Sequence, residues 1–233
     1  MKLAGARALV TGGSEGIGYA VAEALREKKA QVAIMARRRE KLEEAAGALG
    51  ALAIAGDVGV EADAVRAVST TVEKLGGIDI LINNAGWAAW KPLTELTLEE
   101  FQAIFATNVV GSMLMAREAA RHFIKQGSGH LVCVSSTSGL KGGRGGTAYS
   151  GSKFALRGMV ECWRDELRRH NVRVTLISPS EVQTPAWVKH GRVEEESPRK
   201  LRGKDIADAI IGALEIDDRG FIPEFSVWAT NPF

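Results

Sequence analysis

Hydrophobic residues follow two alternating patterns along this chain. Short runs, such as residues 31–36 and 78–82, are almost continuously apolar, which is typical of strands buried on both faces of a parallel sheet. Longer segments, such as residues 61–75 and 149–169, repeat apolar positions every three or four residues, as amphipathic helices do. The short runs predict strands at residues 6–10, 31–36, 51–55, 78–82, 130–135, 172–177 and 220–225.

The alternation of strands and helices predicts one α/β domain over residues 1–233. The expected architecture is a single-domain Rossmann fold, a doubly wound seven-stranded parallel sheet with helices on both faces. No repeat, low-complexity segment or linker divides the chain. Because ligands of such sheets bind at the C-terminal ends of the strands, the turns after the strands are expected to form one site.

A glycine-rich turn, Thr-Gly-Gly-Ser-Glu-Gly-Ile-Gly at residues 11–18, follows the first predicted strand and opens a helix. This order indicates a phosphate-binding site, and a plain tight turn is the alternative. Gly12 and Gly16 permit a close approach to a pyrophosphate, and Gly18 permits close packing of the helix on the strand. The candidate dinucleotide contacts in this turn are Gly12, Ser14, Glu15, Gly16, Ile17 and Gly18.

Tyr149 and Lys153 are four residues apart in a predicted helix, so both side chains are expected on one face. A neighbouring cation favours the phenolate and lowers the pKa of a tyrosine, which suits proton exchange with a carbonyl oxygen near neutral pH. Ser136 lies thirteen residues before Tyr149, directly after a predicted strand. Ser135 is the alternative to Ser136 as the partner of Tyr149.

Taken together, these motifs resemble the short-chain dehydrogenase/reductase family, and in particular its branch of 3-oxoacyl-carrier-protein reductases and similar carbonyl reductases. The resemblance covers about residues 4–184, with the motifs in the family's order. It rests on the glycine turn, Asn-Asn-Ala-Gly at residues 83–86, Asn108, and Ser136 with Tyr149 and Lys153. It implies an NADP-dependent oxidoreductase that transfers hydride between nicotinamide and a carbonyl or secondary alcohol.

The resemblance also implies a role for each candidate catalytic residue. Tyr149 is expected to donate the proton to the carbonyl oxygen, while Ser136 holds that oxygen as an alkoxide develops. Lys153 is expected to lower the pKa of Tyr149 and to bind the nicotinamide ribose. Asn108 matches the family's asparagine that anchors a water in a proton relay to Lys153, and a buried helix-bending residue is its alternative reading.

Cofactor choice is expected to depend on the end of the second strand, which carries Arg37 and Arg38 and no acid. A guanidinium there suits the 2′-phosphate of NADP, so NADP is predicted over NAD. Glu15 departs from the family pattern, since NADP-preferring members often have a basic residue at that position. A carboxylate would repel the phosphate, which leaves an NAD-linked alcohol dehydrogenase as the alternative. The arginines are otherwise read as the start of a solvated helix.

Asp57 resembles the family's acid that accepts a hydrogen bond from the adenine, and a helix N-terminal cap is its alternative reading. Ser180 stands where the family usually has glycine, so the backbone there is expected to differ slightly. The resemblance implies further cofactor contacts at Val58, Asn84, Ala85, Gly86, Pro179, Val182 and Thr184, in addition to Tyr149 and Lys153.

The substrate is the least determined feature. Residues 185–203 lie where the family places its substrate lid, which is where specificity is expected to arise. Trp87, Trp90 and Trp187 are near the expected cleft and favour an apolar or planar substrate, with ordinary packing or a subunit contact as the alternative.

Composition narrows the remaining classes. The chain has 233 residues with a net charge of +2, which gives no argument for a nucleic-acid partner. No run of about 18 apolar residues exists, so no membrane span is expected, and because the first strand is predicted so early, no signal peptide is expected either. Cys133 and Cys162 are predicted to be buried free thiols, which fits a cytoplasmic location. No cluster has metal-ligand spacing, so no metal is predicted.

Two further expectations follow from the resemblance. The family is commonly dimeric or tetrameric, so a homodimer or homotetramer is expected, paired through the helix before strand 5 and the helix that carries Tyr149. A non-catalytic NADP-binding sensor or scaffold is the alternative to an enzyme. Because such members usually lose the tyrosine or the lysine, the presence of both Tyr149 and Lys153 favours the enzyme.

Overall fold

Seven parallel strands form the central sheet in the computed structural model, which describes residues 1–184 and 197–231. In spatial order the strands are β3 (Leu52–Ala55), β2 (Gln31–Ala36), β1 (Arg7–Thr11), β4 (Ile80–Asn83), β5 (Gly129–Val134), β6 (Val172–Pro179) and β9 (Glu224–Val227). A separate pair consists of β7 (Val182–Gln183) and β8 (Leu201–Arg202). The order reverses at β1, which is the switch point of a doubly wound sheet.

Helices cover both faces of this sheet. They are α1 (Gly16–Glu27), α2 (Arg39–Leu49), α3 (Glu61–Leu75), α4 (Leu98–Phe105), α5 (Ser112–Gln126), α6 (Thr147–Arg168) and α7 (Gly203–Glu215). One core cluster lies under α1, α2 and α7, and a second lies under α3, α5 and α6. The predicted fold class is therefore confirmed, and the continuously apolar strands are buried because helices pack on both of their faces.

Glycines with positive φ end three of the helices. Gly50, Gly76 and Gly127 adopt φ of 60°, 79° and 70° directly after α2, α3 and α5. This left-handed conformation carries no Cβ penalty in glycine, so it stops the helix and turns the chain toward the next strand. At its other end α4 begins with a capping box, in which Thr97 and Glu100 bond each other's backbone N–H.

The last predicted strand is displaced in the structure. Residues 220–225 were expected to form it, whereas β9 spans Glu224–Val227. Pro223 lacks an N–H for the ladder, and its carbonyl accepts from the backbone N–H of Leu176 at 3.0 Å. The strand therefore begins only after the proline.

The structure bears only in part on two other expectations, which concern the lid and the cysteines. Residues 185–196 of the expected lid lie outside the described residues, and so does Trp187, while the end of the lid contains β8 and the first residue of α7. Cys133 is buried as predicted, but the prediction for Cys162 is wrong because this thiol is exposed. Cys162 is two positions after the buried Val160, which turns it to the outer face of α6.

A buried histidine lies at the opposite edge of the sheet from the glycine turn. The ring of His130 is fully buried, and its Nε2 is 2.9 Å from Oγ1 of Thr175. Thr175 donates its own proton to the carbonyl of Ile222 at 2.7 Å, so the histidine is the donor in the first contact. Burial, helped by the charge of Arg173, lowers the pKa of His130 to about 3.

We expect His130 to make the protein sensitive to mild acid. Its folded pKa lies below the unfolded value near 6.5, so the unfolded chain binds the proton first and stability falls as the pH drops from about 6.5 toward 3. Between pH 6.5 and 5 the free energy of unfolding should fall by up to about 2 kcal/mol through this linkage.

Urea unfolding at pH 7.0, 6.0 and 5.0 measures this linkage. His130→Gln keeps a donor toward Thr175 and should flatten the pH dependence of the free energy of unfolding. The matched control is His170→Gln, in the turn after α6. An unchanged slope in His130→Gln would contradict the assignment.

Candidate active site

Hydrogen bonds join the turn after β1 to the turn after β4. The hydroxyl of Thr11 accepts from the backbone N–H groups of Asn84 and Ala85, each at 3.0 Å. The side-chain amide of Asn84 returns a bond to the carbonyl of Thr11 at 3.0 Å. Two predicted cofactor residues, Asn84 and Ala85, are thereby fixed beside the glycine turn, and Thr11 is a positioning residue that the sequence analysis did not single out.

The glycine turn has the geometry of a phosphate cradle. Gly12 and Gly16 adopt φ of 66° and 61°, which a residue with a Cβ rarely adopts. A Cβ on Gly18 would lie 2.3 Å from the carbonyl oxygen of Gly12, so only glycine allows α1 to approach this closely. The residue before α1, Glu15, places no side chain on the first N–H groups of the helix. These donors suit a pyrophosphate, so the turn fits a dinucleotide.

The segment after β6 closes on the same turn. Thr184 lies close to Gly16. A Cβ added to Gly16 would be 3.3 Å from the side chain of Thr184. Val182 is buried in the first core cluster, so it can present only its backbone to a ligand. Ser180 has no positive φ, and its hydroxyl accepts from the N–H of Ala229 at 3.1 Å. The backbone at this position therefore does not require the family's glycine.

Three of the remaining predicted cofactor residues have side chains that are largely covered by the protein. Ser14 is buried, and Ile17 packs on the first core cluster. Pro179 is buried at the end of β6, paired with Val227 of β9. Any contact that Ile17 or Pro179 makes with a cofactor would therefore come largely from the backbone.

Ion pairs surround the expected adenosine end of the site. The two carboxylate oxygens of Glu15 each bind one cation, Arg38 at 2.5 Å and Lys41 at 2.5 Å. Arg37 lies 3.5 Å from Asp57. The negative charge that counted against NADP is thus compensated by two cations. Lys41 was missed because its relation to Glu15 depends on how α2 packs beside the glycine turn.

Asp57 does not cap a helix in this structure. Its Oδ1 accepts from the N–H of Gly59 at 2.9 Å, and the N-cap of α3 is Val60. The alternative reading of Asp57 as a helix cap is therefore wrong, and its other oxygen faces Arg37. The side chain of the neighbouring Val58 is buried against Gly111, so Val58 also offers only its backbone.

Tyr149 and Lys153 lie on one face of α6, as their spacing predicts. The ammonium of Lys153 is 5.8 Å from the centroid of the Tyr149 ring and donates to the carbonyl of Val134 at 2.9 Å. Lys153 is only 4% exposed, and this burial lowers its pKa to about 8.

The pKa of Tyr149 differs from the expectation. Burial raises it above its usual value, and a hydrogen bond with the side chain of Ser136 acts in the opposite direction. Lys153 was predicted to lower this pKa. In the structure its ammonium is bound to the Val134 carbonyl instead, and desolvation of the phenol dominates.

The two candidate serines face different groups. Ser136 precedes a 3-10 turn, Thr137–Gly139, and its hydroxyl accepts from the N–H of Ser138 at 3.1 Å. The same side chain acts on Tyr149, whose pKa it lowers. Ser135 instead points its buried hydroxyl toward Gly139, and it has no hydrogen-bond partner among the residues that the structure describes. This geometry favours Ser136 over Ser135 as the partner of Tyr149.

A π-helical segment, Ala106–Gly111, joins α4 to α5 and contains the buried Asn108. Such segments are frequent at functional sites. The Asn108 amide accepts from the N–H of Trp87 at 2.8 Å and donates to its carbonyl, also at 2.8 Å. It also donates to the hydroxyl of Ser152 at 2.9 Å, which bonds the carbonyl of Tyr149 at 2.7 Å.

Asn108 thus connects the segment after β4 to the helix that carries the tyrosine. Ser152 is a positioning residue that was not singled out from the sequence, and its hydroxyl links Asn108 to the backbone carbonyl of Tyr149. Its position three residues after Tyr149 was the available signal. Gly86 lies close to both Asn108 and Lys153. A Cβ added to Gly86 would lie 3.4 Å from the Asn108 side chain and 3.6 Å from the Lys153 ammonium.

Residues 1–184 and 197–231 offer neither a metal site nor a membrane span. No group of three or more histidine, cysteine or acidic side chains is placed there to hold a metal ion. In the same residues, no helix combines the length and the apolar character needed to cross a membrane.

Comparison with known proteins agrees with this geometry. The family model described as short chain dehydrogenase matches residues 6–195. An uncharacterized oxidoreductase of Staphylococcus epidermidis is 31% identical over 209 residues, 89% of this chain and 90% of that protein. A glucose 1-dehydrogenase of Gluconobacter oxydans is 34% identical over 226 residues, 90% of this chain and 85% of that protein.

Solved structures share the whole fold. The 3-ketoacyl-(acyl-carrier-protein) reductase from Brucella melitensis, complexed with NADH, has a TM-score of 0.91 at 28% identity and covers 99% of this chain and 100% of its own. Levodione reductase has a TM-score of 0.88 at 25% identity, covering 97% and 96%. With its sheet, glycine turn and Tyr149–Lys153 pair, the chain belongs to the short-chain dehydrogenases and is an NAD(P)-dependent oxidoreductase.

Proposed function

We propose that this enzyme is an NADP-dependent reductase of carbonyl compounds that also oxidises the corresponding secondary alcohols. The observation that carries the proposal is the grouping of Tyr149, Ser136 and the buried Lys153 beside the glycine turn. The relatives support this substrate class, because glucose 1-dehydrogenase, 3-ketoacyl-(acyl-carrier-protein) reductase and levodione reductase are all named for carbonyl or alcohol substrates.

The dinucleotide would lie across the edge of the sheet. Its pyrophosphate suits the turn of Gly12 and Gly16 and the first N–H groups of α1. Asn84, Ala85 and Gly86 would border the adenosine ribose, where small residues allow close approach. When bound, the nicotinamide supplies or accepts the hydride.

Proton transfer is assigned to Tyr149. As hydride reaches the carbonyl carbon, the phenol gives its proton to the carbonyl oxygen, and in oxidation the phenolate takes it back. Ser136 would donate a hydrogen bond to the same oxygen and stabilise the developing alkoxide. Lys153, with a pKa of about 8, is mostly protonated at pH 7 and would stabilise the phenolate that remains.

NADP is the proposed cofactor because three cations, Arg37, Arg38 and Lys41, gather where a 2′-phosphate would lie. Glu15 and Asp57 offset part of this charge, since each is paired with a cation of the group. An NAD-linked alcohol dehydrogenase is the second candidate. Glu15 favours it, and the related Brucella melitensis reductase was solved with NADH.

We also propose a homodimer or homotetramer that pairs through α5 and α6. A groove of about 310 Å³ lies between these helices, with Met113, Ile124 and Trp163 among its apolar lining residues. Arg121 and Glu166 also line it, so a second copy related by a two-fold axis would meet both apolar and opposite-charge partners.

Tyr149→Phe tests the proposed chemistry. NADPH oxidation with a panel of ketones and short 3-oxoacyl thioesters should fall at least about 100-fold in kcat, because the proton donor is lost. Tyr19→Phe, at the only other tyrosine, should keep the wild-type rate. Turnover that survives in Tyr149→Phe would contradict the proposal. Tight NADPH binding with no turnover of any acceptor by the wild type would favour a non-catalytic sensor.

Glu15→Gln tests the choice of cofactor. Removing the carboxylate leaves Arg38 and Lys41 available to a 2′-phosphate, so the KM for NADPH should fall roughly twofold to fivefold. The KM for NADH should change much less, and 0.5 M salt should weaken the effect. Glu43→Gln, which removes an exposed carboxylate 4.0 Å from Arg39, is the matched control. Equal changes for both cofactors would contradict this reading of Glu15.

A further inference from the structure

Residues 87–91, here called the strap, cross from the end of β4 to the loop before α6 and are anchored at both ends. At one end, Asn108 bonds both backbone groups of Trp87 at 2.8 Å. At the other, the N–H of Lys91 donates to the carbonyl of Gly145 at 2.9 Å. The ammonium of Lys91 also lies 2.6 Å from Glu100, the glutamate of the α4 capping box.

The strap places an indole against the candidate proton donor. The ring centroids of Trp90 and Tyr149 are 5.6 Å apart, with the planes tilted by 57°. Gly146, directly before α6, makes room for this contact, since a Cβ there would lie 2.7 Å from the Trp90 ring. Trp90 nevertheless remains 40% exposed. Part of the indole is thus held beside Tyr149 and still accessible.

This position matters for any compound that reaches the phenol. A carbonyl oxygen that accepts a proton from Tyr149 must come within hydrogen-bond distance of the phenol, and a substituent on the side of the Tyr149 ring that faces Trp90 would then lie near the indole. A flat apolar ring gains stacking and dispersion contacts from an indole, whereas a flexible chain loses rotational freedom to make fewer of them.

We propose that Trp90 is a specificity-determining residue that selects planar cyclic or aromatic ketones over open-chain ketones of equal size. The inference rests on the proposed function, because it concerns the substrate of that same site. A residue that only supported the packing of Tyr149 would change kcat/KM for all substrates alike. The ratio of kcat/KM for two ketones of equal size therefore shows whether Trp90 selects the substrate or only supports Tyr149.

Acetophenone and 2-octanone form such a pair, since both have eight carbons and one is planar. The ratio of kcat/KM for acetophenone to that for 2-octanone should fall roughly tenfold in Trp90→Leu, which is apolar but not flat. Trp90→Phe should keep most of the wild-type ratio. Trp163→Leu, in the groove between α5 and α6, is the matched control and should leave the ratio unchanged.

Binding separates this inference from the proposed function. In Tyr149→Phe loaded with NADP, acetophenone should bind more tightly than 2-octanone in equilibrium dialysis, and adding Trp90→Leu should remove the difference. That preference would support the inference even if the wild type turned over neither ketone. A ratio unchanged in Trp90→Leu, or no binding of either ketone, would overturn it. Circular dichroism spectra and melting temperatures show whether each variant is folded, and if Trp90→Leu is not, Trp90→Met takes its place.

Discussion

A buried ammonium is the group on which the rest of the candidate site depends. Lys153 lies inside the protein, where an unsatisfied cation is costly, and its contact with the Val134 carbonyl offsets part of that cost. The residues around Lys153 are arranged to accommodate this buried ammonium. Gly86 leaves space beside the ammonium, and Asn108 joins the strap to α6 through Ser152. The candidate site is thus held by bonds between elements far apart in the sequence.

Burial also explains why the two ionisable groups shift in opposite directions. Desolvation disfavours charge, so it raises the pKa of Tyr149 and lowers that of Lys153, and each is pushed toward its neutral form. A phenol in this state holds its proton until something stabilises the phenolate. Ser136 already favours the phenolate by lowering the pKa of Tyr149, and a reoriented Lys153 ammonium would add to that effect. The reactivity of Tyr149 is therefore expected to depend on the filling of the cleft by cofactor and substrate.

Local signals predicted much of this arrangement. Apolar runs located the sheet, and the spacing of Tyr149 and Lys153 placed both on one helical face, since neither inference needs a distant partner. Features that depend on tertiary packing were missed. The pairing of Glu15 with Lys41 requires α2 to lie beside the glycine turn, and the contact of Trp90 with Tyr149 requires the strap to cross to α6. The last strand was misplaced because Pro223 delays its ladder.

Direct titration of the phenol tests whether a desolvated Tyr149 becomes a proton donor when the cleft is filled. The chain has two tyrosines, so in a Tyr19→Phe background tyrosinate absorbance reports Tyr149 alone. In the free protein we expect the pKa of Tyr149 to lie above its usual value because the phenol is desolvated, and to fall when NADP is bound, with Lys153→Met removing most of that decrease. An ordinary tyrosine pKa that neither NADP nor Lys153→Met changes would contradict this role of Tyr149.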